Sequence, residues 1–441
     1  MRKLAVTRPV FPGDLDKFGE AAIAQRMEHF GQMTRRARNG LLFARRSGWP
    51  FHPVDGARDG RRGHPPWSEP REREVRIWRA VGVWALCVLA VSSLIHAQPP
   101  QPSFAERVAA IRTPSSVPAV GGVTFSSASI GAVAASGVRK LGDPTEVTPA
   151  DLWHIGSITK SFTSALIARR VERGELNLDA ILGELLGPAR AQKFAGATLK
   201  NVLSHRAGLP ANPLGPAFNA IYQSGEPMPS IRKRVIDLAL AAEPLSAPGT
   251  AFFYSNIDYI LAGSIMEEKS GKAWEQIVRE EILTPMKLTS AGFGAPGTVG
   301  ALTQPRGHRG QGSSQTPIEP GMFADNPPVF GPAGTMHMSI ADLARWGQEH
   351  LRGERGQDGV LKAATFKLLH TPPAGEYALG WVSRTRNGQR VIWHNGSNTL
   401  WFAILAFNPD ADKGVVLVTN GVNAAAAMEA LAFELVTAGA R

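Results

Sequence analysis

Trp153-His154-Ile155-Gly156-Ser157-Ile158-Thr159-Lys160 is the stretch on which the reading of this 441-residue chain turns. Its last four residues form an S-x-x-K. From 158 to 168 Lys160 is the only charged residue, and the segment is small or apolar on nearly every face. That pattern predicts a buried helix. A lone lysine on a buried helix must be paired, or it loses its proton more readily than usual. Spacing by three puts Ser157 and Lys160 on one helix face with a rise of about 4.5 Å between them, so the amine reaches the hydroxyl. Ser157 also opens the helix, where free N–H groups and the positive dipole end favour oxyanion charge. The plainer alternative makes Ser157 an N-cap and lets Lys160 snorkel outward.

Ser230-Ile231-Arg232-Lys233 fits the same pattern, so the motif is weak by itself. Ser230 opens a basic stretch and reads as a helix cap on a solvated face. Two further segments favour chemistry at Ser157. Tyr254-Ser255-Asn256, the one Y-x-N in the chain, follows the turn Ala247-Pro248-Gly249-Thr250. A tyrosine beside a buried ammonium is pushed toward phenolate, which makes it a usable general base or proton shuttle; otherwise it is a core tyrosine. His394-Asn395-Gly396-Ser397 ends one apolar strand and precedes another. Glycine there allows close backbone approach, and an edge-strand N–H completes an oxyanion pocket.

Working outward, Ser103 and Glu106 make a capping box for a short helix with Val108 and Ile111 on its apolar face. Residues 119–137 read as one or two strands. Residues 161–290 are mainly helical patterns broken by Gly and Pro, including 198–207, 258–270 and 274–283. Residues 291–335 are dense in Gly and Pro and read as a long, partly mobile loop. Ser339 and Asp342 cap a further helix. Residues 390–394, 399–407 and 414–419 read as strands, the last two joined at Asp410-Ala411-Asp412-Lys413-Gly414, and a helix with a Met428, Leu431, Ala432, Leu435, Val436 stripe follows. Strands flank a helical middle. The economical fold is therefore α+β: an antiparallel sheet built from both chain ends, with flanking helices and an inserted, mainly helical lobe.

The net charge of +11 sits mostly at the start: residues 1–97 hold 17 Lys/Arg against 9 Asp/Glu, and the other 344 hold 31 against 28. A near-balanced body gives no basic surface, so a nucleic-acid partner is discarded. The single cysteine, Cys87, excludes disulfides and cysteine-ligated zinc after it. It lies in a sixteen-residue uncharged apolar run, 80–95, preceded by Arg76 and Arg79 and closed by Ala97. Residues 75–97 thus read as a signal peptide or signal anchor, too short to compare with a span of about 20 residues. Residues 1–74 show no sustained apolar period and read as unstructured. The expected natural start lies near Val75, with the preceding stretch not normally translated. Residues 98–441 form the folded domain, exported to the periplasm or the extracellular side, and the membrane is met only through the signal segment.

S-x-x-K, then Y-S-N, then [KH]-x-G on a late strand, in that order, resembles the class C β-lactamase family. That family includes D-alanyl-D-alanine carboxypeptidases, D-aminopeptidases and S-x-x-K esterases. Residues 155–160, 201–210, 331–346 and 394–399 are similar to it in local wording. The resemblance implies a β-lactamase/transpeptidase-like fold and an acyl-enzyme on Ser157, with Lys160 and Tyr254 sharing proton transfer. It implies Asn256 as a substrate-amide contact, His394, Asn395, Gly396 and Ser397 as substrate-binding or oxyanion residues, and an oxyanion pocket made by the N–H groups of Ser157 and Ser397. No cofactor or metal is expected. One departure matters: class C β-lactamases carry Lys-Thr-Gly where this chain has His394-Asn395-Gly396. Histidine is mostly neutral at pH 7, so a fixed ammonium for a substrate carboxylate is missing, and efficient β-lactam turnover is not expected. The expected activity is hydrolysis of a D-amino-acid peptide or a small carboxylic ester. A β-lactamase is the narrower alternative, and a non-catalytic ligand-binding scaffold the alternative of another class. His154 and His205 read as structural.

Overall fold

The computed structural model describes residues 102–438 apart from 214, 322 and 387. The segments read as 1–74 and 75–97 lie outside the described residues. In chain order the strands are β1 (Ala119–Phe125), β2 (Ala134–Gly137), β3 (Leu152–His154), β4 (Gly292–Phe293), β5 (Gly307–Arg309), β6 (Thr316–Ile318), β7 (Met336–Ser339), β8 (Val382–Arg386), β9 (Gln389–Ser397), β10 (Phe402–Asn408) and β11 (Lys413–Thr419). The longer helices are α1 (Phe104–Ser115), α2 (Thr159–Glu172), α3 (Met228–Leu240), α4 (Asn256–Ser270), α5 (Ile340–Glu354) and α6 (Ala425–Thr437).

The main sheet runs β2-β1-β11-β10-β9-β8, antiparallel throughout. Both chain ends build it: Val120 of β1 lies opposite Thr419 of β11. Strand alternation clothes both faces. Phe402, Ile404 and Ala406 of β10, with Val415 and Leu417 of β11, pack with Val108 and Ile111 of α1 and Met428 and Ala432 of α6. Ala403, Leu405, Phe407, Val416 and Val418 face the other way, into the core shared with Leu343 and Ala344 of α5 and with the helical lobe. Every residue of β10 is buried, which explains its continuous apolar run.

The inserted lobe joins β3 to β7, two neighbouring strands of a small second sheet. Its centre is α2, in which ten consecutive residues from Thr159 to Ala168 are buried. α4 packs beside it, capped by the Ser255 hydroxyl, which accepts from the Asp258 amide at 3.2 Å, and closed by Gly271 in the left-handed region (φ 69°).

Three readings of the sequence change. The helix expected over 198–207 stops at Leu203, because His205 adopts a left-handed backbone (φ 58°) and turns the chain toward α4. Residues 291–335 form three short strands and several turns, with buried anchors such as Ala324 and Val329, in place of a featureless loop. Ser230 lies inside α3, and Arg232 is fully buried where a solvated face was expected. Arg232 pairs with Glu267 at 2.5 Å and with Glu275. A guanidinium taken out of water needs such partners.

Candidate active site

The chain leaves β3 through a single turn of 3₁₀ helix, Gly156–Ile158, and enters α2. Ser157 sits on that turn, half-buried, with Lys160 one turn below and wholly buried. Lys160 Nζ contacts three oxygens: Ser157 Oγ at 3.2 Å, Asn256 Oδ1 at 2.7 Å and the Ala333 carbonyl at 2.8 Å. The snorkelling alternative is therefore absent. Burial pushes the Lys160 amine well below its ordinary value, against the pull of Asp258. The Asn256 and Ala333 oxygens are acceptors only, so a neutral amine gives them its two N–H bonds. Its lone pair then points at the one remaining partner that can donate, the Ser157 hydroxyl.

Tyr254 brings its ring to 4.8 Å from Lys160 Nζ, with its phenol beside Ser157. The expected drift toward phenolate is reversed. Burial pushes the phenol up, because the low-dielectric site penalises the phenolate while the neighbouring amine is itself driven toward neutrality. Tyr254 is thus a phenol, able to donate a proton and not poised as a base.

Asn256 begins α4, and its Oδ1 must face the lysine, which has only protons to offer. Its Nδ2 donates to Asn212 Oδ1 at 2.7 Å, which leaves a second N–H for a ligand. Asn212, in a stretch without periodicity, gave no sequence signal.

β9 closes the opposite side. His394 and Gly396 share one face and Asn395 the other, as alternation requires. Asn395 therefore does not reach the site: its Nδ2 donates to Glu429 Oε1 on α6 at 2.7 Å. That corrects its assignment as a ligand contact. His394 is buried, and burial, with Lys160 nearby, pushes its imidazole down to about 3. Its Nδ1–H donates to the Asn395 carbonyl at 2.5 Å and its Nε2 accepts from the Tyr377 hydroxyl at 3.0 Å. Both ring nitrogens are occupied, and the ring is neutral.

Gly396 lies so close to the Ser157 turn that an added Cβ would strike the Ile155 carbonyl and the Ser157 amide nitrogen. The contact is mutual, since a Cβ on Gly156 (φ 50°) would strike the Ser397 amide. The Ser157 and Ser397 amides are thus brought side by side. Gly396→Ala is expected to wedge β9 off the turn, cutting kcat by about 100-fold and costing roughly 1–3 kcal/mol of stability. Ester turnover alongside thermal unfolding checks both, and a wild-type kcat with unchanged Tm counts against it.

Tyr377 and His205 belong to the same cluster, though neither stood out as functional in the sequence. His205 lies 4.4 Å from the Tyr254 ring and 4.6 Å from that of Tyr377, and its Nδ1 is 2.8 Å from Asp258 Oδ2. Burial holds the imidazole well below its usual value and the Asp258 carboxyl well above. Phe252, 45% exposed, packs against Tyr377 and gives the mouth an aromatic wall. Among the described residues no group of three or more His, Cys, Asp or Glu side chains is arranged to hold a metal ion.

The beta-lactamase family model matches residues 119–438. Penicillin-binding protein 4 of Amycolatopsis lactamdurans is 27% identical over 332 residues, 72% of this chain and 84% of that protein. Unguisins hydrolase ungD' of Aspergillus campestris is 25% identical over 63% of this chain, which spans only 54% of that longer protein. A solved structure of a D-stereospecific amidohydrolase from a Streptomyces species superposes with a TM-score of 0.59, at 20% identity, over 76% of this chain and 98% of that one.

Proposed function

The chain belongs to the beta-lactamase family, and on that premise we propose that it is a serine hydrolase working through an acyl-enzyme on Ser157. The observation that carries the reading is the Lys160 amine, buried, held by two fixed oxygens and 3.2 Å from Ser157 Oγ. Lys160 takes the hydroxyl proton as Ser157 attacks the carbonyl carbon. The tetrahedral oxyanion is held by the Ser157 and Ser397 amides. Tyr254, a phenol beside Ser157 and Lys160, passes a proton to the leaving group and recovers it from Lys160. Water then cleaves the ester at Ser157 with the same groups acting in reverse.

The substrate is proposed to be an ester or amide of the D-amino-acid kind with no free carboxylate. The saturated, neutral His394 supports this, since it offers neither a charge nor a free N–H to a substrate carboxylate. The Streptomyces amidohydrolase with the same fold supports the D-amide side of the choice. Export to the periplasm or the extracellular side is part of the proposal and rests on the apolar run at 80–95.

The test is a substrate panel on the protein from Gln98 onward: p-nitrophenyl butyrate, D-alanine p-nitroanilide and nitrocefin. Ester and D-anilide turnover is expected, with nitrocefin slower by at least about 100-fold, the scale on which a missing charged contact is felt. Fast nitrocefin hydrolysis with neither of the others would make the protein a β-lactamase. Binding of a wall peptide without turnover of any substrate would make it a scaffold.

A further inference from the structure

We propose that Asp325 is a positioning residue that sets both backbone amides of the oxyanion pocket at once. The inference rests on the acyl-enzyme reading above. Asp325 lies in the Gly/Pro-rich segment 291–335, outside all three motifs, with its side chain only 6% exposed.

Its carboxylate reaches the Ser157 turn through His154. The Gly156 N–H donates to His154 Nδ1 at 3.1 Å. An amide donor needs a lone pair, so Nδ1 carries no proton and Nε2 does. Nε2–H in turn lies 2.6 Å from Asp325 Oδ1, off the hydrogen-bond line, a close contact between the ring's N–H dipole and the carboxylate. Asp325 thereby fixes the tautomer and tilt of a ring that grips the residue before Ser157.

The same oxygen reaches the strand on the other side. Asn398 Nδ2 donates to Asp325 Oδ1 at 3.2 Å and to the Ala324 carbonyl at 3.1 Å. Asn398 directly follows Ser397. One carboxylate oxygen therefore ties down the neighbour of each proposed oxyanion donor, from opposite sides of the pocket. The next residue extends the grip: Asn326 Nδ2 donates to the Gly334 carbonyl at 2.9 Å, one residue beyond the Ala333 carbonyl that holds Lys160. Residues 324–326 thus reach the nucleophile turn through His154 and touch Asn398 at the β9 end and Gly334 beside the support of the base.

Donor placement matters because an oxyanion contact acts only when the amides meet the oxygen of the tetrahedral species, and a misplacement of about 1 Å costs on the order of 100-fold. Asp325→Ala is expected to lower kcat by about that factor while KM stays within about threefold. Inhibition by phenylboronic acid, whose tetrahedral oxygen occupies the oxyanion position, is expected to weaken in parallel. Asp325→Asn keeps an acceptor for Asn398 and is expected to recover to within about tenfold of wild type. An Asp325→Ala protein that folds and keeps its kcat and boronate affinity overturns the proposal, as does one that changes KM alone. Should Asp325→Ala not fold, Asn398→Ala carries the test. It cuts one of the two ties, and a parallel loss in kcat and boronate affinity supports the proposal, whereas unchanged values overturn it. Ser157→Ala run alongside separates the two levels. If that variant turns over substrate as fast as wild type, the acyl-enzyme reading fails and takes this inference with it. If it is dead while the Asp325 variants match wild type, only the inference falls.

Discussion

Ser157→Ala is expected to lower kcat on p-nitrophenyl butyrate by at least about 10⁴-fold, with the fold intact. The other serines of α2 cannot stand in for it. Ser161 Oγ donates to the Ile158 carbonyl at 2.7 Å, and Ser164 Oγ lies 3.3 Å from the Tyr259 hydroxyl, both within the buried body of α2. The variant keeps the amides and the helix dipole, so residual turnover measures what the pocket does without a nucleophile. A covalent readout makes the test sharper. A fluorophosphonate should add to one serine only, and peptide mapping should find it at Ser157. Turnover that persists in the variant, or label on another serine, removes Ser157 from the mechanism.

Lys160→Met is expected to cost about 10³-fold in kcat, in the range of a lost general base, while leaving KM nearly unchanged. Methionine fills a similar volume and cannot accept a proton. The wild-type protein should also show a pH signature that the variant lacks. With its amine pushed below the ordinary value of 10.5, Lys160 is protonated and inactive as a base at low pH. It becomes competent as the proton leaves, so kcat/KM rises with pH through a midpoint below that value. Neither the histidines of the cluster nor Tyr254 supplies that limb. His394 is held down at about 3, His205 well below its usual value, and Tyr254 is pushed up. A wild-type profile with the same shape as that of Lys160→Met would mean that Lys160 does not carry the proton.

The sequence disclosed what depends on near neighbours and withheld what depends on distant ones. Ser157 and Lys160 were legible because a helix fixes their relation within one turn, and the sheet because β9, β10 and β11 keep their alternation. Asn395 was misread for want of the same rule: alternate residues of β9 part company, and its side chain joins Glu429. Arg232 looked solvated because its partners, Glu267 and Glu275, lie 35 and 43 residues away. Tyr254 was expected to lean toward phenolate on the assumption of a charged neighbour, yet burial acts on both groups and drives both toward neutrality. Asn212, Asp325 and Tyr377 lie in segments without periodicity, so only the folded backbone reveals them.

The pairing of β1 with β11 sets a timetable. Ala119 N–H donates to Asn420 Oδ1 across 301 residues of chain. A ribosome adding about 5–20 residues per second needs on the order of 15–60 s to make the second partner after the first. Throughout that interval β1 has no neighbour on its β11 side, and the apolar faces later covered by β10, β11 and α6 stay uncovered. Closing so long a loop is slow and comes late. The nascent protein therefore meets the cell as an open chain in need of protection. Its nucleophile and base, paired early within one helical turn, meet the oxyanion strand only after β9 has been made.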